Sequence, residues 1–130
     1  MENFREIEKY LRKEKGLKTK VVDKNLNSIN DLIDLIAHAD IVISNDTSAS
    51  HISAACDTPL ICILHGRHFG RFAPYPSKIY KKGIFLYPPK ITKRLEDFNY
   101  LVEKYKHFSN RNINEVTVDI VKESIDKLLP

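Results

Sequence analysis

Hydrophobic positions in the first half of the chain follow two patterns that alternate. A helical spacing marks residues 2–15, which end at Gly16, and the stretch that follows Ser28, a typical helix N-cap. Uninterrupted apolar runs mark residues 40–44 and 60–64, as is typical of strands buried on both faces of a parallel sheet. The alternation therefore predicts helices that pack against a buried sheet.

The other predicted elements are less regular. A short β-branched segment, residues 18–22, predicts a strand, and residues 84–87 predict another within the long irregular stretch 65–89. Residues 93–107 and 117–129 predict two closing helices. The inner face of the second of these helices is expected to contain Val118, Val121, Ile125 and Leu128.

Helices and buried strands joined by short connections are typical of the α/β class. We therefore predict a Rossmann-like parallel sheet flanked by helices. The chain opens on a helix, and its four glycines form neither a G-x-G-x-x-G nor a P-loop pattern. We expect the first strand of the sheet and its glycine-rich turn to lie on an N-terminal part that is absent from this sequence. Residues 1–130 are then a single domain.

Composition narrows the class of protein. A hydrophobic content of 42% is sufficient for a packed core. No apolar run approaches the roughly 20 residues that a membrane-spanning helix needs, and the N-terminus has no apolar signal region. Cys56 and Cys62 are too few for a disulfide framework, and both are expected to act as small buried hydrophobes. These features predict a cytoplasmic protein.

The net charge of +4 is unevenly distributed along the chain. Between Thr58 and Leu95 there is no acidic residue, whereas the rest of the chain holds 13 basic and 17 acidic residues. The basic residues of the acid-free segment are Arg67, Arg71, Lys78, Lys81, Lys82, Lys90, Lys93 and Arg94. Such a field attracts phosphates of a nucleotide, a nucleic acid or a membrane surface, and the alternative is a solvated basic face without a ligand.

A hydroxyl-rich turn connects the predicted strand 40–44 to a short predicted helix of small residues, 49–56. Ligands of open α/β sheets bind just beyond the carboxyl ends of the strands. A helix start at that edge favours an anion through its N–H groups and its dipole. We therefore predict a phosphate site in which the substrate-binding residues are Asp46, Thr47, Ser48, Ala49 and His51.

Two of these residues have more than one interpretation. Asp46 is expected to accept hydrogen bonds from sugar hydroxyls, because two close anions repel, or else to cap the helix. His51 is expected to donate to a phosphate or sugar oxygen, and the alternative is an ordinary, partly buried histidine. A metal site made of His51, His65 and His68 lacks nearby acidic ligands, so we predict no metal.

A second polar cluster, residues 65–76, directly follows the next buried strand. Parallel strands end at the same edge of a sheet, so this cluster is expected near the first. Gly66 permits close approach to a ligand. Arg67, His68 and Arg71 are candidates for a clamp on a diphosphate, a task that suits the fixed donor fork of arginine.

Three segments resemble a known family. The run ADIVISNDTSASHISAA from Ala39 to Ala55, followed by Thr58-Pro59, carries the most specific motif. Gly66 to Phe72 looks like a glycine loop found in a subgroup of the family, and Asn114 to Val121 looks like the start of its last helix. Over about residues 26–129 the chain thus resembles the C-terminal domain of glycosyltransferase family 9, which includes the lipopolysaccharide heptosyltransferases.

The resemblance implies the C-terminal half of a two-domain GT-B glycosyltransferase that binds a nucleotide-diphosphate sugar, such as an ADP-heptose, for transfer to lipopolysaccharide or another glycan. It implies that Asp46 contacts the donor sugar and that Thr47, Ser48 and His51 contact the diphosphate, although the family commonly has Gly where Ser48 stands. Enzymes of this kind need no metal or other cofactor and act peripherally at the inner face of the membrane.

The catalytic base of such enzymes belongs to an N-terminal acceptor-binding domain or subunit, which this sequence does not contain. We therefore predict no catalytic residue here and expect the chain to be inactive without that half.

Two other functions stay open. The chain is alternatively a non-catalytic nucleotide-binding module, or a basic nucleic-acid-binding domain whose aromatic residues stack bases. We expect no nucleic acid partner, because the same aromatic residues are better explained as the core of an interface with another domain. They are Phe69, Phe72, Tyr75, Tyr80, Phe85 and Tyr87.

Overall fold

The computed structural model describes residues 2–22, 28–45 and 47–130. In chain order the elements are α1 (Glu2–Lys13), α2 (Ile29–Ala37), β1 (Val42–Asn45), α3 (Ser48–Ala55), β2 (Leu60–Ile63), β3 (Gly83–Leu86), α4 (Pro89–Thr92), α5 (Phe98–Tyr105), a 3-10 helix (Ile113–Glu115) and α6 (Val118–Leu128).

The strands form one parallel sheet in the order β1-β2-β3. Their register aligns the last residues of the strands, so that Asn45 lies opposite Ile63, and Ile63 lies opposite Leu86. All three strands therefore end at one edge, which we call the carboxyl edge. The predicted α/β fold with a Rossmann-like parallel sheet flanked by helices is confirmed.

The central strand β2 separates two hydrophobic cores because side chains of a strand alternate between its faces. Leu60 and Cys62 belong to one core, which includes Leu101 of α5. Ile61 and Ile63 belong to the other core, which is made largely by α1 and α6. All four residues of β2 are buried, which confirms the prediction of a strand covered on both faces, whereas β1 is only partly buried along its length.

The two terminal helices form as their sequence patterns predict. Helix α1 is followed by Gly16, whose φ of +65° allows the N–H of Leu17 to donate to the carbonyl of Leu11 across the helix end. In α6, Val121 and Ile125 are buried, while Val118 and Leu128 pack at the margin of the same core. The predicted inner face of α6 is therefore confirmed.

One predicted element is wrong, and another is shorter than predicted. Residues 18–22 form no strand; Val21 and Val22 are exposed, so their β-branched side chains find no sheet face to cover. Within the predicted helix 93–107, α5 extends only from Phe98 to Tyr105, because residues ahead of it form a separate turn in which the Asp97 N–H donates to the carbonyl of Arg94. No helix of the described residues is long and apolar enough to cross a bilayer.

Most of the aromatic residues between Phe69 and Tyr87, which lie on the β2–β3 connection, on β3 and just after it, serve the core of this chain. Phe69, Tyr80 and Tyr87 are buried, and Tyr75 and Phe85 pack against them; Phe72 alone of the six is exposed. The hydroxyl of Tyr80 donates to the carbonyl of Thr58, and burial raises the pKa of Tyr80. The interpretation of these rings as an interface core or a base-stacking platform is therefore wrong for Phe69, Tyr80 and Tyr87, while Tyr75 and Phe85 are only partly buried.

Candidate functional site

The turn after β1 presents the start of α3 at the carboxyl edge of the sheet. Thr47 is the N-cap: its side chain accepts from the N–H of Ala49 at 3.3 Å, and its carbonyl accepts from the hydroxyl of Ser50 at 2.7 Å. The first turn of a helix leaves backbone N–H groups without partners inside the helix. Here the N–H groups of Ala49 and Ser50 already donate to Thr47. The arrangement therefore offers an anion the positive end of a helix dipole and the exposed hydroxyls of Thr47 and Ser48. Asp46 lies outside the described residues.

The residues of α3 divide between the core and the surface. Ser50 and Ser53 are buried, and the Ser53 hydroxyl donates to the carbonyl of Ala49 within the helix at 2.7 Å, so its polar group is satisfied in the core. Thr47, Ser48 and His51 are exposed, as a ligand at this edge requires. The small residues that the sequence shows in α3 thus serve its packing against the sheet.

His51, on the first turn of α3, contacts the β2–β3 connection. Its Nδ1 lies 2.7 Å from the hydroxyl of Tyr75, and the two rings meet edge to face with centroids 5.9 Å apart. The ring is exposed, so the interpretation of His51 as an ordinary, partly buried histidine is not favoured.

The second cluster is held mainly by α4 and α5. Gly66, with a φ of +98°, is buried against Ile91, and a Cβ at this position would overlap that side chain. The absence of a side chain at Gly66 thus permits contact with α4. His68 has a φ of +58°, and its Nδ1 lies 2.7 Å from the carbonyl of Lys106 at the end of α5.

Arg71 is exposed, and its guanidinium carbon lies 5.0 Å from the centroid of the Phe72 ring in a cation–π contact. Within the described part of the chain, no hydrogen bond or ring contact joins His68 or Arg71 to α3. The structure therefore brings Thr47, Ser48, Ala49 and His51 together on one helix start, and it anchors Gly66, His68 and Arg71 on a neighbouring loop.

A small pocket of about 80 Å³ lies at the carboxyl edge, on the face of the sheet that α1 and α6 cover. Asn45 and Ile63 contribute the strand ends, Asn3 the first turn of α1, and Asn114 the segment before α6. Sequence reasoning missed Asn45, Asn3 and Asn114 as candidate contacts. Only Asn45 carried a signal, its position between a buried strand and the hydroxyl-rich turn.

The basic residues of the acid-free segment 58–95 lie at both edges of the sheet, because Arg67 and Arg71 follow β2 whereas Lys82 directly precedes β3. These basic residues are all exposed, and Lys82 is paired with Asp57 at 3.2 Å. Among residues 2–22, 28–45 and 47–130, no three His, Cys, Asp or Glu side chains gather as a metal site would require.

A helix start beside parallel strand ends, with an exposed threonine and histidine, agrees with one comparison. The family model described as glycosyltransferase family 9 (heptosyltransferase) matches residues 2–97. The chain belongs to glycosyltransferase family 9. The match covers α1 through α4, and therefore both polar clusters, while α5 and α6 lie beyond it. No curated protein and no solved structure matches the chain.

The family model matches further toward the N-terminus than the sequence motifs do. The motifs that resemble glycosyltransferase family 9 begin at about residue 26, whereas the match of the family model begins at residue 2 and includes α1. The helix that opens the chain is therefore part of the family pattern. The first turn of this helix also lines the pocket at the carboxyl edge.

Proposed function

We propose that residues 1–130 form the nucleotide-sugar-binding domain of a GT-B glycosyltransferase. The observation that carries this proposal is the Thr47-capped start of α3 at the carboxyl edge of a sheet whose chain belongs to glycosyltransferase family 9. The start of this helix binds the diphosphate through its dipole and through the hydroxyls of Thr47 and Ser48, and His51 donates to it. Asp46 accepts hydrogen bonds from the hydroxyls of the sugar.

The basic loop completes the proposed donor site. Arg71 and His68 lie on the connection that follows β2, the strand next to β1 in the sheet. Gly66 has a positive φ, a backbone conformation that glycine adopts readily, at the start of this loop. In the proposed mechanism these donors stabilise the departing nucleoside diphosphate, whose negative charge grows as the bond to the anomeric carbon breaks.

The other half of the reaction is assigned to an acceptor-binding domain or subunit. A base there removes the proton from the acceptor hydroxyl, and the hydroxyl oxygen displaces the diphosphate with inversion at the anomeric carbon. We propose a glycan acceptor such as lipopolysaccharide and a cytoplasmic site of action with peripheral contact to the inner face of the membrane. No metal or cofactor is assigned a role.

Calorimetric titration with ADP, GDP and UDP, and with their hexose conjugates, tests the donor site. Thr47→Ala is expected to weaken binding of every nucleoside diphosphate by about ten- to a hundredfold, because a hydrogen bond to a charged group is lost. Thr47→Ser keeps the hydroxyl and is expected to retain the affinity. Equal affinity in the wild type and in Thr47→Ala would contradict the proposed phosphate contact.

Asp46→Ala separates the sugar contact from the phosphate contact. We expect the affinity for the sugar conjugates to fall and the affinity for the free diphosphates to stay constant or rise, since a nearby negative charge is removed. A uniform loss for both classes of ligand would instead indicate a structural role for Asp46.

Transfer activity distinguishes a donor half from a non-catalytic binding module. The chain is expected to transfer sugar only when an acceptor-binding half of family 9 is supplied, either mixed or fused ahead of residue 1. Binding without transfer in every such combination would favour the module.

A further inference from the structure

The two ring nitrogens of His51 have different surroundings. Nδ1 lies 2.7 Å from the hydroxyl of Tyr75. Nε2 makes no hydrogen bond with any residue that the structure describes, and the ring is exposed on the first turn of α3. One nitrogen is therefore engaged within the protein, and the other is available to a ligand.

The position of the Tyr75 hydroxyl is set by the core. The Tyr75 ring meets the rings of Tyr80 and Phe85 with centroid distances of 6.0 Å each, and Tyr80 is itself buried. Tyr75 is half-buried in this aromatic group. The packing of the ring therefore fixes the position of the Tyr75 hydroxyl independently of His51. The hydrogen bond that orients the imidazole then requires little further loss of conformational entropy from Tyr75.

The chemistry of the two groups sets the direction of the hydrogen bond. A neutral imidazole has one donor and one acceptor nitrogen, and the bond made by one nitrogen determines the role of the other. The phenol hydroxyl, with a pKa of about 10, is a stronger acid than a neutral imidazole N–H and is the better donor. Tyr75 therefore donates to Nδ1, and the hydrogen of the imidazole lies on Nε2.

We propose that Tyr75 is a positioning residue that holds His51 in the Nε2–H form, so that the free edge of the ring donates to the diphosphate of the donor. The inference rests on the proposed function for its ligand, but the tautomer it assigns belongs to the protein alone. A fixed Nε2–H donor selects an anion, because this nitrogen has no lone pair to offer a cation.

Long-range proton–nitrogen correlation spectra of the ligand-free chain test the tautomer directly. The spectra are recorded at mildly alkaline pH, where histidine side chains in general are neutral. His51→Gln identifies its signals among those of the five histidines. We expect an acceptor-type shift at Nδ1 and a donor-type shift at Nε2. The reverse pattern would overturn the proposal.

Tyr75→Phe keeps the ring contacts and removes the hydroxyl. In this variant the His51 nitrogen shifts are expected to move toward the average of the two tautomers. Tyr80→Phe is the matched control, because it removes a buried hydroxyl whose partner is the Thr58 carbonyl. It should lower stability and leave the His51 shifts unchanged. Tautomer shifts that respond equally to both variants would indicate a general loosening instead.

A double-mutant cycle tests whether Tyr75 acts through His51. Tyr75→Phe is expected to weaken ADP binding by about three- to tenfold, the effect of one ordinary hydrogen bond. In a His51→Ala background the same change should have no effect. An equal loss in both backgrounds would contradict a positioning role. Should no nucleoside diphosphate bind, the proposed function fails, whereas the nitrogen shifts still decide the tautomer.

Discussion

Gly70 and Gly16 share a left-handed backbone conformation but differ in their surroundings. Gly70 has a φ of +82°, and a Cβ there would lie 2.7 Å from Val102 and 3.2 Å from Phe98. Gly16 has a φ of +65° and nothing within 4 Å of such a Cβ. The pair therefore separates the effect of backbone strain from that of close packing.

Gly70→Ala is expected to lower the free energy of unfolding by about 2–4 kcal/mol, since left-handed strain and overpacking combine. Gly16→Ala should cost about 1 kcal/mol, because the strain is partly offset by a less flexible unfolded chain. Urea unfolding of both variants measures the difference. Equal losses of unfolding free energy in the two variants would contradict the close contact between Gly70 and α5.

The sequence predicts the site residues that are close together along the chain, but it does not predict those that tertiary packing brings together. Thr47, Ser48 and His51 are local to one strand–turn–helix, so their chain positions place them together. Tyr75 is 24 residues from His51 and meets it only through the packing of the β2–β3 connection. A contact of this kind depends on tertiary structure, and no spacing in the sequence indicates it.

At the scale of elements, α1 and α6 are joined by a polar cluster at the margin of their shared core. Asp126 accepts from the hydroxyl of Tyr10 at 2.5 Å and from Nζ of Lys15 at 2.8 Å, and Lys15 also donates to the carbonyl of Leu129 at 3.0 Å. The hydrogen bonds from Lys15 and then Tyr10 lower the pKa of Asp126. This cluster links the two ends of the described chain.

The lowered pKa of Asp126 makes the docking of α1 on α6 sensitive to acid. The carboxylate binds its proton more readily in the unfolded chain, so its contribution to stability is present above the ordinary aspartate pKa of about 3.9 and is lost as pH falls through the lower folded value. Thermal unfolding between neutral and acidic pH should show a smaller acid-induced loss for Asp126→Asn than for the wild type.

Glu123→Gln provides the control for this experiment. Glu123 is exposed on the same helix and has no ion pair or hydrogen bond with a residue that the structure describes. Its variant is expected to follow the pH profile of the wild type. An identical profile for Asp126→Asn would show that the Tyr10–Asp126–Lys15 cluster does not contribute.

Elements were predictable where their own pattern decides the structure. The apolar spacing of α6 and the uninterrupted run of β2 indicated burial correctly, because both elements face a core for their whole length. Residues 18–22 show a β-branched pattern too, but a strand also needs a neighbour with which to pair. The neighbour is a property of the sheet and is not encoded in the segment itself.

At the scale of the whole molecule, the basic side chains are on the surface with few of the exposed aromatic rings that a nucleic-acid-binding surface would place beside them. The basic side chains of segment 58–95 are exposed, but the rings beside them are mostly in the core. Base stacking needs exposed aromatic faces. Of the six rings, Phe72 is the one that is more than one third exposed.

We therefore expect single-stranded DNA to bind only non-specifically, with a Kd weaker than about 1 μM at physiological salt and a steep loss of affinity as salt rises. Fluorescence anisotropy with a labelled oligothymidine at two salt concentrations measures this. Phe72→Ala should have little effect. Tight binding that resists salt and depends on Phe72 would instead support the nucleic-acid interpretation.

The location of nucleoside diphosphate binding tests the central claim most directly. Amide proton–nitrogen spectra of the full chain, recorded during titration with ADP, GDP and UDP, report where a ligand binds. The account predicts that at least one of them causes saturable shifts concentrated at the amides of residues 45–51, with weaker shifts in the 66–71 loop. Saturable binding centred on residues 78–94, with residues 45–51 unchanged, would contradict it.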